Sequence, residues 1–406
     1  MDLRSCEPWW LLRNGIMWNY PSLVRSLTCD VAIIGGGITG AFISQRLAAA
    51  GLAVVVLDKR SIGEGSTTAS TALLQYEVDT PLHILEKRVD AETAERVYRL
   101  GIDAISSIET LSRRLRVDCG FARRKSLQLA SRERDALRLE REVAARRRIG
   151  LSVRLLDRER LARERGWGHA CALETPEAAE VDPFRLTHGL LQRARRDGAR
   201  VLDRVEVTRV RPTARSVLLE TDRGATVRAS HVVFATGYET AAWTPKTRTR
   251  VVSTFAMVTD CVDRIEGWDD RSLIWETARP YIYLRRTDDD RVLIGGGDID
   301  SATASTRDRL IPAKSAYLAR RLRALFPTLH FDVDRAWAGA FVESEDSLPY
   351  IGRSPKHRRL LFALGYGGNG MTFAWIGAEV LAGLIVDGDH PDATRFSFDR
   401  ARRTAS

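Results

Sequence analysis

Residues 29–58 read CDVAIIGGGITGAFISQRLAAAGLAVVVLD. Cys29 to Ile34 is a short β-branched run that ends in glycines, the pattern of a buried parallel strand. Thr39 to Ala50 follows as a helix stopped by Gly51, and Ala53 to Leu57 is a second buried strand. Strand, helix and strand make one right-handed βαβ unit. Between the first strand and the helix, Gly35, Gly37 and Gly40 complete a GxGxxG pattern. Gly35 permits the tight turn, and Gly37 lets backbone approach a pyrophosphate where Ile38 and Thr39 open the helix. Gly40 allows the helix to pack close to the strand. The helix start offers free N–H groups and partial positive charge to the anion. Asp58 ends the second strand, 18 residues past Gly40, where it is placed to accept from a ribose hydroxyl. Lys59 and Arg60 point toward a 2′-phosphate and Asp58 would repel one, so this segment alone leaves NAD and FAD open.

Composition bounds the rest. The chain has 406 residues, 44% hydrophobic and 29% charged, with 30 Gly and 13 Pro. That length suits two interleaved domains, and the balance excludes disordered, collagen-like and disulfide-scaffold classes. Five cysteines (Cys6, Cys29, Cys119, Cys171, Cys261) are odd in number and lack CxxC spacing, which fits a reducing cytoplasm. The seven histidines form no HxxxH pattern, so no metal is expected. The opening MDLRSCEPWWLLRNG lacks the continuous apolar stretch of a signal peptide. The longest apolar segment, Met371 to Val386, spans 16 residues and is interrupted by Glu379 and two glycines. A membrane span needs roughly 18–20, so this segment is expected as a buried helix of a soluble, cytoplasmic protein.

Charge is uneven. Residues 111–165 hold 17 Arg and one Lys against eight acidic residues, a surplus equal to the +10 of the whole chain. Such a surface suits RNA or another anionic partner. Acids alternate through RERDALRLEREVAARRR, however, as ion pairing on a solvated helix face requires. The solvated face is favoured, and nucleic acid is not expected as a partner.

Outward from the βαβ unit, Leu82 to Leu115 has helical spacing, Phe121 to Ala130 reads as a strand, and Arg132 to Arg148 as a charged helix. Pro183 to Arg196 is a helix with Asp182 as N-cap. Short strands follow at Val201–Val210, Val217–Thr221 and Val227–Phe234. Val251–Val258, Tyr281–Arg286 and Val292–Gly295 indicate an antiparallel sheet. Leu360 to Val386 is strand, glycine loop and helix. Blocks of parallel and antiparallel signal imply an α/β domain plus an inserted sheet domain.

Three further segments favour a flavin. Gly65 to Ser70 (GSTTAS) supplies Ser66, Thr67, Thr68 and Ala69 just after the second strand, where a second phosphate contact is useful. Gln75 and Tyr76 follow, toward a flavin edge. The strand His231–Ala235 ends in Thr236 and Gly237, and Val205 is counted with these cofactor-binding residues. Gly367, Gly368, Asn369, Gly370, Met371 and Thr372 lead into the apolar helix, whose positive end would stabilise charge developing at the flavin N1–C2=O locus.

These segments, with EVDPFRLTHGLLQRARRDGARV, VVFATGYE, YIYLRRTDDDRVLIGGG, DSLPYIG and LGYGGNGMTF, resemble the FAD-dependent D-amino acid oxidase/glycine oxidase (DAO) superfamily from about Asp30 to Ile385. GSTTASTALLQ is most similar to the γ-glutamylputrescine oxidoreductase-like branch. The resemblance implies an α/β fold of glutathione-reductase-like architecture: a Rossmann-type FAD-binding domain interleaved with an α+β, antiparallel-sheet substrate domain. The expected division is 1–28 extension; 29–118, 181–245 and 341–406 FAD-binding, the last with the C-terminal helix; and 119–180 and 246–340 substrate-binding. It implies non-covalent FAD, since no cysteine falls near the C-terminal motif. It also implies oxidation of an amine C–N bond by hydride transfer, with O2 or another acceptor reoxidising the flavin.

The departures are informative. The substrate-clamping arginine expected before DSLPYIG is replaced by Phe341, and a second, in the C-terminal glycine motif, by Gly368. A carboxylate clamp needs that planar bidentate donor, so a secondary or γ-glutamylated amine is favoured over a free amino acid. A one-residue slip, or Arg279, Arg285 or Arg286, would restore a clamp. The oxygen-activating lysine of the sarcosine oxidase branch is replaced by Leu293. On the strand 281–286, Tyr281, Tyr283 and Arg285 share a face. A tyrosine is expected to line the substrate cavity and Arg285 to orient a polar end. Glu343, Glu345 and Asp346 are candidates to hold a cationic amine. The alternatives are an RNA-modifying flavoenzyme, a flavin subunit without turnover and an NAD-dependent dehydrogenase.

Overall fold

The structure is a computed structural model that describes residues 3–239, 244–245 and 247–400. Residues 240–243 and 246, at the expected domain boundary, lie outside the described residues, as do 1–2 and 401–406. Among the described residues the strands form two sheets, one of eight and one of ten.

The eight-stranded sheet grows from the segment that opens the sequence. Leu27–Ile34 lies between Val54–Leu57 and Thr226–Phe234, all parallel, with Val31 opposite both Val54 and His231. Alternation sends Val31 and Ile33 into one apolar cluster and Ala32 into another, as the pleat requires. Helices Ile38–Ala49, Pro183–Arg196 and Gly370–Val386 cover the first face. A hairpin, Val207–Pro212 with Val217–Thr221, covers the second. The expected strand 201–210 is therefore two: Arg200–Leu202 pairs in parallel at the sheet edge before the hairpin begins.

The ten-stranded sheet is built mainly on Ala122–Leu129, Cys171–Glu180, Thr249–Cys261, Arg291–Ile299 and Val333–Ser344. It crosses the expected divisions at three places. Leu73–Gln75 joins it through Cys171–Glu180, Arg4–Ser5 adds an edge strand beside Gly339, and Val333–Ser344 runs past residue 340. The segment after Arg4–Ser5 enters the helix Trp9–Asn14, which buries Trp9 and Trp10, and the Trp10 indole donates to Ser70 O at 2.8 Å. No helix of the described residues is long and apolar enough to cross a membrane.

Two helical expectations change. Leu82–Leu115 is broken into Leu82–Arg88 and Ala91–Ser112, because Asp90 caps the second helix by accepting from Thr93 N at 2.7 Å. The helix Ala136–Arg148, expected to be solvated, buries Glu142 and Arg146, both 1% exposed. Arg146 donates to Glu142 at 2.7 Å and to Glu77 at 3.3 Å, under the rings of Tyr76 and Tyr98. Glu142 also accepts from the backbone of Leu82 and His83. Elsewhere in 111–165 arginines reach acids on other elements: Arg123 to Glu177, Arg124 to Glu180, Arg148 to Glu86 and Arg165 to Asp270.

Burial opposes ionisation of Glu142, but Arg146 and the donated hydrogen bonds outweigh it and hold the carboxyl down at about 2. A depressed carboxylate contributes stability above its unfolded value, and that contribution is lost as pH falls through the folded one. Glu142→Gln is expected to cost ~3–5 kcal/mol at neutral pH, as for a broken buried pair. The difference from the unaltered protein should shrink progressively below about pH 4.5, as measured by urea denaturation across pH.

Candidate functional site

The first strand of the βαβ unit ends at Gly35, whose φ is +112°. A Cβ on Gly35 would sit 2.3 Å from Ala235 O, and one on Gly40 would sit 1.9 Å from Gly35 O. These two contacts press helix, turn and neighbouring strand together at the carboxyl edge of the sheet. The helix N-cap, Gly37, carries no side chain to cap it. Thr67 does so from the GSTTAS segment, its Oγ1 accepting from Ile38 N at 3.0 Å.

The groove beginning here is part of a cavity of about 730 Å³. Gly35, Gly37, Ile38, Thr39, Asp58, Lys59, Arg60, Ser66, Thr67, Ala69, Gln75, Val205, Thr236, Gly237, Gly367, Gly368, Asn369, Gly370 and Met371 all line it. Three expected residues do not. Gly40 is spent on helix–strand contact, Thr68 donates to Gly65 O, and Thr372 turns back to Asn369 O.

At one end Asp58 accepts from Gly36 N at 2.6 Å and Arg60 N at 2.8 Å. Burial pushes its carboxyl up to about 6 despite those bonds. Lys59 and Arg60 both pair with Glu239, at 2.9 and 2.8 Å. Their charge is thus engaged by a carboxylate, which does not favour a 2′-phosphate here.

At the other end the loop after Leu360–Leu364 enters the helix Gly370–Val386. The N-cap residue Asn369 donates its side chain away from that helix, to Glu77 O at 2.7 Å and Gln75 O at 3.3 Å. No side chain caps the helix, and Gly370 and Met371 face the cavity. Gly368 N donates to Asp79 Oδ2 at 2.8 Å, while Tyr281 OH donates to Asp79 Oδ1 at 2.7 Å. A Cβ on Gly368 would lie 2.9 Å from Asp79 Oδ1. An arginine cannot stand at this position while Asp79 holds its place.

The cavity wall continues through Trp275, Tyr281, Tyr283, Thr254, Asp298 and Phe341. Tyr283 lies across Gly295 of the adjacent strand, where a Cβ would meet its ring at 2.4 Å. Arg285 lies elsewhere, which corrects the role expected for it. It is 3% exposed, reaches Glu180 at 3.3 Å, donates to Val181 O and lies over the Trp10 ring. The strand's periodicity does put it on the tyrosine face, but its position falls where the N-terminal segment covers that face. Arg286 pairs with Asp290, and Arg279 lies over Tyr281 and donates to Asp79 O. None of the three lines the cavity.

The acidic candidates also move. Glu343 pairs with Arg250, Glu345 with Arg248 and Asp346 with Arg400, and none lines the cavity. Tyr76 is buried against Tyr98 behind it. Leu293 is wholly buried in the sheet. Leu3, Glu77, Asp79, Thr254, Trp275, Tyr238 and Asp298 were not named from the sequence. Their only signal is adjacency to named motifs, because the topology that gathers them is long-range.

The family described as DAO, FAD dependent oxidoreductase, matches residues 30–384. The chain belongs to this family. The DAO relatives include γ-glutamylputrescine oxidoreductase of Escherichia coli (strain K12), 27% identical over 93% of this chain and 87% of that protein. Glycine oxidase of Geobacillus kaustophilus (strain HTA426) is 28% identical over 88% of this chain and 92% of that protein. The crystal structure of glycine oxidase from Geobacillus kaustophilus superposes with a TM-score of 0.75, covering 92% of this chain and 98% of that one at 23% identity. It shares the fold.

The cradle fits the FAD of a DAO protein. Ser66 Oγ is buried in the cavity wall without a hydrogen-bond partner, near the helix start at Gly37. An uncapped helix start faces the same space at Gly370. Two helix starts and an orphaned hydroxyl suit an extended anionic ligand.

Gly37 has an ordinary φ of −77°, and a Cβ there meets only Thr67 Oγ1 at 3.0 Å. Gly37→Val is therefore expected to fold yet to retain roughly a tenth or less of the wild-type flavin, because the branch occupies the pyrophosphate's approach. Gly40→Ala drives a methyl into backbone and should cost at least ~1–3 kcal/mol. Flavin absorbance per protein, with thermal melting, separates the two.

Proposed function

We propose that the chain oxidises the C–N bond of an amine, a secondary amine or the free amine of a γ-glutamylated one rather than a free amino acid, using non-covalently held FAD. The observation that carries this is the single cavity, which joins the glycine cradle to an aromatic chamber whose lining includes no arginine beyond Arg60 among the described residues. FAD supplies the acceptor for a hydride from the carbon beside nitrogen, leaving an imine that water hydrolyses.

This chain's own residues would prepare that step. Trp275, Tyr281, Tyr283 and Phe341 enclose the substrate and exclude water. That favours the neutral amine over the ammonium, since burial disfavours charge, and the neutral form has the lone pair that becomes the C=N bond. The uncapped start of Gly370–Val386 offers positive potential to charge developing on the cofactor side. Phe341 and Gly368, where a carboxylate clamp is expected, offer nothing to a free α-carboxylate. Neither cysteine nor histidine lines the cavity among the described residues, which supports non-covalent retention. O2 or another carrier completes the cycle. The arginines of 111–165 that pair with acids, Arg146 among them buried, support a structural role over an RNA grip.

The test is anaerobic mixing of the flavin-loaded protein with amines and with amino acids. Loss of the flavin band at about 450 nm is expected with an amine lacking a free carboxylate and not with glycine or proline. Faster bleaching by the amino acids would overturn the preference. Admission of air then separates an oxidase from a dehydrogenase.

A further inference from the structure

Asp298 lies in the wall of the chamber, on the strand Arg291–Ile299. Its Oδ1 is buried and accepts no hydrogen bond, Thr254 lies against the carboxyl, and among the described residues no ion pair reaches it. The lysine behind it, Lys314, instead donates to Gly297 O and lies over Phe255. Thr254, Tyr281, Tyr283 and Asp79 line the same chamber and lie close enough to act on this carboxyl. The Tyr281 ring is 5.5 Å from Tyr283 and 6.3 Å, edge-on, from Trp275. Two tyrosine rings near this carboxylate, with Trp275 edge-on to one of them, form the chemistry that receives an ammonium: faces for cation–π attraction and an anion for the charge.

The wider electrostatics agree. Burial first, then Asp79 and Glu343, push the Asp298 carboxyl up to about 6, against Thr254 and the more distant Arg279. Asp298 is thus ionised above about pH 6, and Asp79 stands on the same wall, whereas Glu77 is paired with Arg146 and Arg279 reaches Asp79 O from outside the lining. The described cations of the lining, Lys59 and Arg60, lie at the Asp58 end with Glu239.

We propose that Asp298, with Trp275, Tyr281 and Tyr283, binds a second, protonated nitrogen of the substrate, so that the preferred substrate class is a diamine-type cation without a free α-carboxylate. This rests on the C–N oxidation reading above. In that reading the nitrogen being oxidised is neutral when hydride leaves the carbon beside it. A carboxylate that keeps its charge in the same chamber suits a different nitrogen, one that stays protonated. A zwitterionic amino acid would bring its own carboxylate against Asp298 and Asp79.

The experiment titrates the flavin-loaded protein with 1,3-diaminopropane, 1,4-diaminobutane, 1,5-diaminopentane and n-butylamine. Affinity is read calorimetrically and flavin bleaching anaerobically. The best diamine is expected to bind at least about tenfold tighter than n-butylamine. Asp298→Asn should collapse that ratio, and Asp298→Glu should largely keep it. Flavin content and melting temperature check that both variants are folded. An unchanged ratio in folded Asp298→Asn overturns the assignment, as does failure of every amine to bind the unaltered protein. Charge-dependent diamine binding without bleaching would sustain the Asp298 site while removing C–N oxidation. Bleaching with no diamine preference would do the reverse.

Discussion

One carboxylate ties the two sheets together at the point where chemistry is expected. Asp79 accepts from the backbone of Gly368, at the start of a helix packed on one sheet, and from the hydroxyl of Tyr281, beside a strand of the other. Hydrogen bonds to a charged acceptor are the stronger kind, and here both donors come from more than 200 residues along the chain. Holding Asp79 there fixes the distance between the glycine loop and the aromatic wall. It also fills the space a side chain at residue 368 would need. A side chain at residue 368 would therefore displace the carboxylate that joins the sheets.

Behind Asp79 the support is electrostatic as well. Glu77, two residues earlier, is held by Arg146 and by the hydroxyl of Thr175, and Arg146 is in turn held by Glu142. Asn369 donates to the carbonyls of Gln75 and Glu77. The short stretch 75–79 is thus gripped from the helix Ala136–Arg148 on one side and from the C-terminal glycine loop on the other. Such buried pairs contribute little net stability compared with apolar packing. What they contribute here is position, since each partner leaves a desolvated charge if it moves.

The parts of the fold that were legible are those whose signals are local. The run Cys29 to Asp58 carries strand, turn, helix and strand in adjacent residues, and Asp182 with Pro183 marks a helix start in two. The site was legible to the same extent: Gly35, Gly37, Asp58 and the 367–371 loop line the cavity because each belongs to a short motif. Leu73–Gln75 was not assigned to the ten-stranded sheet, since its partner, Cys171–Glu180, lies a hundred residues away. Arg285 illustrates a different failure. Period-two alternation gives the face of a strand, but the Trp10 ring that covers that end of the face comes from the N-terminal segment. Nothing near residue 285 encodes that covering.

The charge distribution completes the argument. A chain with a formal charge of +10 encloses a chamber whose wall carries Asp79 and Asp298. Many of its arginines are engaged by acids elsewhere: Arg146 by Glu142 and Glu77, Arg165 by Asp270, Arg285 by Glu180, Arg400 by Asp346. Potential inside a low-dielectric cavity is set by the nearest unpaired charges rather than by net charge, because paired charges cancel at short range and exposed ones are screened. A basic protein can in this way present an acidic interior to its ligand. The nucleotide end, with the helix start at Gly37, and the aromatic end, with its carboxylates, then attract ligands of opposite sign along one continuous groove.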